Sequence, residues 1–145
     1  MSNNAFGFLI DLNKEQPFSF YSNEIKSPGD WIKENQVRIM DNEVTIVISN
    51  ATWAKFTNTN SMDPVIDEKA HAIKLIPEKT SQLSEGDIIS YRSTKVNAVV
   101  IHRIIDIGVD DEGVFFVTKG DNNKDTDPEK VRFHQITGVV VGILY

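Results

Sequence analysis

From residue 37 onward, apolar residues fall in short alternating or continuous runs separated by turn residues. That pattern predicts strands rather than helices. Residues 37–40 and 44–48 flank Asp41-Asn42-Glu43 and read as a hairpin. Further strands are expected at 51–56, 72–76, 87–92, 97–106, 114–118 and 136–144. The run at 97–106 is apolar enough to suggest a strand covered on both faces. Before residue 37 the periodicity is weak. Phe18-Ser19-Phe20-Tyr21 is one candidate strand there. Ser27-Pro28-Gly29-Asp30 reads as a helix start, with Ser27 as the cap and Pro28 in the first turn. The expected fold is mainly β: antiparallel sheets, partly closed and sandwich-like, with one or two short helices. Residues 1–50 form an N-terminal segment with a short helix and hairpin, and 51–145 the main β domain.

Length sets the scale of this fold. At 145 residues the chain fits one domain with its own core. The longest N-terminal apolar stretch, Ala5-Phe6-Gly7-Phe8-Leu9-Ile10, ends at Asp11. It is short of both a membrane span and a signal-peptide core. A net charge of -6 without any lysine–arginine run argues against a nucleic-acid partner. The absence of cysteine excludes disulfides, thiolate catalysis and cysteine-ligated metals. No metal or cofactor is expected.

Three stretches carry chemistry. Thr59-Asn60-Ser61-Met62-Asp63-Pro64 places a serine on a turn after a strand. Ser61 there is either an exposed nucleophile or part of a plain hydrogen-bonded turn. His102 interrupts the apolar run Val99 to Ile105, as a base or as a satisfied core histidine. Arg103 points to the opposite face by the strand period and reads as structural or surface. His71 and His134 lack such a setting and read as surface residues. Thr118-Lys119-Gly120-Asp121-Asn122-Asn123-Lys124-Asp125-Thr126-Asp127-Pro128 is dense in carboxylates and amides. It is a calcium loop, a hydrogen-bonded turn, or the source of an aspartate that orients a histidine. It fails the EF-hand pattern, having no glutamate at the twelfth position. Serine, histidine and aspartate thus occur in the order of a possible triad.

Four boxes, in order and spacing, resemble type I signal peptidases of the archaeal and endoplasmic-reticulum branch, where histidine replaces the bacterial lysine. They are Asn60-Ser61-Met62-Asp63-Pro64, Gly86-Asp87-Ile88-Ile89, Val100-Ile101-His102-Arg103-Ile104 and Thr118-Lys119-Gly120-Asp121-Asn122-Asn123. The resemblance covers about residues 57–145. It implies a signal-peptidase-like β domain and a serine endopeptidase with Ser61 as nucleophile and His102 as general base. Asp127 matches the third member and ranks ahead of Asp121, another carboxylate of this branch; Asp125 is a neighbouring competitor. The Ser61 backbone N–H supplies an oxyanion donor. Thr59 stands where relatives carry an assisting serine. Met62, Asp63 and Pro64 fall beside the bound polypeptide. The implied substrate is a secretory precursor with a signal peptide, cut after small residues (Ala-x-Ala) and paired as an extended strand near Ser61.

Relatives carry a transmembrane helix just before the serine box. Here some fifty residues without an apolar span occupy that place. Either an anchor has been removed or the chain is a soluble relative. The resemblance otherwise implies membrane association with the site on the extracytoplasmic side. Two alternatives stand beside it. One is a self-cleaving Ser–Lys regulator, for which Lys119 is the nearest lysine. The other is an inactive binding module on the same scaffold.

Overall fold

The computed structural model describes residues 24–145, so the candidate strand at 18–21 and the stretch at 5–10 lie outside the described residues. Eight strands follow one another along the chain. β1 (Val37–Met40) and β2 (Glu43–Ile46) form a two-stranded hairpin closed by Asp41-Asn42. β3 (Ala51–Lys55), β4 (His71–Leu75), β5 (Ile88–Ser93), β6 (Ala98–Asp110), β7 (Gly113–Lys119) and β8 (Ile136–Leu144) build one antiparallel sheet. Its order is β3-β4-β8-β5-β6-β7, an open sheet rather than a closed barrel. The molecule is mainly β. Its helical content among the described residues is three short 3-10 turns, at Glu34–Gln36, Thr80–Gln82 and Phe133–Gln135.

Neighbouring residues on each strand feed opposite cores, as the pleat requires. Ile89 and Val139 join Leu83, Tyr91, Ile104, Phe116 and Val131 on one face. Ile88 and Val140 join Met62, Ile66, Ala70 and Ala72 on the other. The second core is the one that holds the serine turn.

Two expectations are corrected. No helix starts at Ser27: the segment is irregular, with Trp31 N donating to the Gly29 carbonyl, and the first helical turn among the described residues comes only at Glu34. Asp87 accounts for this. Its buried carboxylate accepts hydrogen bonds from Gly29 N (2.8 Å), Trp31 Nε1 (3.0 Å) and Ser84 N (2.9 Å). A tertiary acceptor thus takes amide and indole protons that a helix start would orient elsewhere. Gly86 makes the close approach possible. It has φ +98°, and a Cβ there would lie 2.3 Å from the Ser27 carbonyl oxygen.

The run at 97–106 is likewise not covered on both faces. Ala98, Val99, Ile105 and Asp106 are exposed. The strand is longer than expected and changes partner midway. Residues Ala98 to Arg103 pair with β5, and Arg103 to Asp110 pair with β7, with a register shift between Ile104 and Asp106. Residues 98–102 therefore keep one edge unpaired by any described strand.

Candidate active site

The serine turn starts where the chain leaves β3. Asn60 takes φ +57°, a left-handed conformation that asparagine tolerates better than most residues. The Met62 carbonyl then accepts from Val65 N (2.9 Å) and Ile66 N (3.0 Å), making a single tight turn. Met62 and Ile66 are 2% and 3% exposed in the second core. They anchor the turn and leave Ser61 half-buried beside open space. Ser61 Oγ lies 3.2 Å from Thr59 Oγ1.

The loop after β7 grips this turn from the other side. Asn122 N donates to the Ser61 carbonyl (3.0 Å), and Asn122 Nδ2 donates to the Asn60 carbonyl (3.0 Å). Asp121 N points at Met62 Sδ, 3.4 Å away. Glycine is required at 120, because a Cβ there would stand 2.5 Å from the Ser61 carbonyl oxygen.

His102 sits on β6 opposite Ile89 and is 8% exposed. Its Nδ1 lies 2.7 Å from Asp127 Oδ2. The same oxygen accepts from Thr118 Oγ1 (2.6 Å) and Tyr91 Oη (2.9 Å). The Asp127 amide closes the loop onto the Thr118 carbonyl at 2.8 Å. Burial works against the Asp127 charge. The hydrogen bonds from His102, Thr118 and Tyr91 outweigh it and hold the pKa below the ordinary 3.8. Burial and the neighbouring Asp127 charge push the Tyr91 phenol far above its usual range, so it remains a donor. An ionised Asp127 on Nδ1 selects the tautomer that leaves Nε2 free to accept a proton.

A cavity of about 550 Å³ receives Ser61, Thr59, Met62 and His102. Lys74 and Ser90 line it as well. Ser61 and His102 thus share one cavity, although among the described residues no hydrogen bond joins them. Asp63 and Pro64 do not line it, and Met62 serves chiefly as a core anchor. Asp121 is turned away from His102. It forms a two-point ion pair with Arg103, at 2.8 Å and 2.6 Å, while Arg103 also donates to the Gly86 carbonyl. Arg103 is therefore structural. Asp125 is exposed, and Lys119 spends its ammonium on the Asn123 carbonyl at 2.8 Å. The two carboxylates most needed for a calcium loop, Asp121 and Asp127, are committed to protein partners. His134 is exposed as expected, whereas His71 is half-buried with its ring edge-on to Trp53 at 5.0 Å.

Sequence reasoning assigned no role to Tyr91, Thr118, Lys74 or Ser90. The period-two pattern held part of the signal, since Tyr91 shares the face of Ile89 and hence of His102. Lys74 and Ser90 come together only through the strand order. No family model, curated protein or solved structure matches the chain.

Proposed function

We propose that this chain is a serine endopeptidase of signal-peptidase type, cutting secretory polypeptides after small residues. One observation carries the reading. A single cavity is lined by Ser61 and by His102, whose Nδ1 is held by the half-buried Asp127 carboxylate. This is the division of labour a serine nucleophile needs.

In this reading His102 Nε2 removes the Ser61 proton as Oγ attacks the scissile carbonyl. Asp127 stabilises the imidazolium that forms. The Ser61 backbone N–H, which has no partner among the described residues, donates to the oxyanion. The Thr59 hydroxyl, already beside Ser61 Oγ, is the second donor. The imidazolium then protonates the leaving amine, and His102 activates water to release the acyl group. Beside the cavity an extended substrate has two edges to pair with: β3, bonded only to β4, and residues 98–102 of β6, bonded only to β5. No helix among the described residues is long and apolar enough to cross a membrane. In this reading the chain acts at a membrane, as signal peptidases do.

The test is cleavage of a peptide with an Ala-x-Ala site after an apolar segment, read by mass spectrometry. Wild type should cut after the second alanine. Ser61→Ala, His102→Ala and Asp127→Asn should each lose about a thousandfold or more while staying folded. Cleavage that persists in Ser61→Ala would remove the reading. One observation favours a second reading, a binding module without catalysis: Ser61 Oγ is bonded to Thr59 rather than to His102. That reading expects saturable peptide binding by the wild type with no product.

A further inference from the structure

Two lysines line the cavity, Lys55 and Lys74, and the reading above uses neither; Lys55 is exposed, whereas Lys74 is half-buried. The Lys74 stem leaves β4 and crosses β8 over Gly138, where an added Cβ would lie 3.2 Å from Lys74 Cβ. The missing side chain at 138 therefore leaves the path for the lysine. Its Nζ reaches Ser90 Oγ on β5 at 3.0 Å, one strand beyond β8. Ser90 is 2% exposed and further bonded to Thr137 Oγ1 at 2.9 Å. The hydroxyl that Lys74 touches is thus buried and already paired, and among the described residues no hydrogen bond joins Lys74 to Ser61.

The position instead leaves a charge without a counterion. No carboxylate of the described residues lies within ion-pair distance of Lys74. No aspartate or glutamate lines the cavity. Lys74 is half-buried, and burial lowers its pKa from the usual 10.5 with no carboxylate to offset the cost. A half-buried ammonium satisfied by one neutral hydroxyl retains most of its capacity to bind an anion.

We propose that Lys74 is a specificity-determining residue whose ammonium receives a carboxylate side chain of the bound polypeptide, so that substrates with aspartate or glutamate near the cut are preferred. This rests on the endopeptidase reading and changes it: small residues alone do not define the substrate.

The experiment uses the full chain and Ala-x-Ala peptides in which each position from four before to two after the cut is made Glu, Gln or Lys in turn. The readout is the ratio of kcat/KM between the Glu and Lys members at each position. Wild type should show a ratio of about ten or more at one position, the size of one charge-assisted contact. Lys74→Glu should invert it. Lys74→Met, which keeps the length of the stem and leaves Ser90 bonded to Thr137, should bring it near one and serves if the charge reversal does not fold. An unchanged ratio in a folded variant, or no preference in wild type, overturns the proposal.

Absence of cleavage at any peptide tells against the endopeptidase reading, not against the subsite. The same peptides are then titrated by fluorescence anisotropy into wild type and Lys74→Met. Tighter binding of a Glu peptide that is lost in Lys74→Met supports the anion subsite. Equal binding of Glu and Lys peptides overturns it.

Discussion

Asp127 Oδ2 carries three donors, and the site's protonation behaviour follows from that. Tyr91 and Thr118 do not line the cavity, so they act through Asp127 as positioning residues. Thr118→Val keeps the shape and removes one donor from a half-buried carboxylate. The expected loss is about 1.5–3 kcal/mol at neutral pH. Tyr91→Phe removes the longer of the two bonds and should cost less. The pH dependence has a definite sign. A carboxylate whose folded pKa is lowered contributes stability above its unfolded value, and the contribution is lost as pH falls through the folded value. The difference between wild type and Thr118→Val should therefore be full at pH 7 and shrink below about pH 4. Urea unfolding at pH 7 and pH 3 measures it. An equal difference at both values would mean that Asp127 is not the charged partner.

The elements differ in how far the sequence announces them. The strands were legible, because a pleated sheet with a core on each face writes its period into the chain. The hairpin β1–β2 was legible from its turn residues and alternation, with Val37, Ile39, Val44 and Ile46 sharing one face of the pair although that face is largely exposed. The helix expected at Ser27 was not formed, because Asp87, more than fifty positions away, captures Gly29 N and Trp31 Nε1. Local propensity holds no record of that partner. The candidate triad residues were legible as a set, whereas the contact of Lys74 with Ser90 depends on β8 lying between β4 and β5. The loop after β7 shows the same limit. Gly120 reads as a turn residue, yet its reason is the Ser61 carbonyl at a distance no Cβ permits. Gly120→Ala must push the loop off the serine turn and break the Asn122 N to Ser61 O bond. Hydrogen exchange should show the Asn122 amide losing protection while the β5 amides keep theirs. Peptide cleavage should fall about a hundredfold through misplacement of Ser61. Retained protection at Asn122 would mean that the loop does not hold the turn.

At the scale of the whole molecule, the question is whether residues 24–36 are an appendage or part of the folding unit. They lie outside the six-stranded sheet, which begins at Ala51. The contacts favour integration. Trp31 packs against the core that contains Tyr91 and Ile104, the face on which Asp127 is held. Asp87 is fully buried and joins the segment to the start of β5 through donors on both sides. Asp87→Ala leaves three donors without their acceptor and opens space beside the indole. Each unsatisfied donor costs about 1–3 kcal/mol, so the sum is roughly 3 kcal/mol or more. For a domain of this size that lowers Tm by about 10 °C. An integrated segment predicts one cooperative transition, shifted as a whole, with Trp31 fluorescence (read in a Trp53→Phe background) and the far-ultraviolet strand signal melting together. An appendage predicts two: an early change in Trp31 fluorescence and an unchanged Tm for the sheet. The packing of Trp31 into the core favours the first outcome, and a thermal melt of Asp87→Ala followed by both probes decides between them.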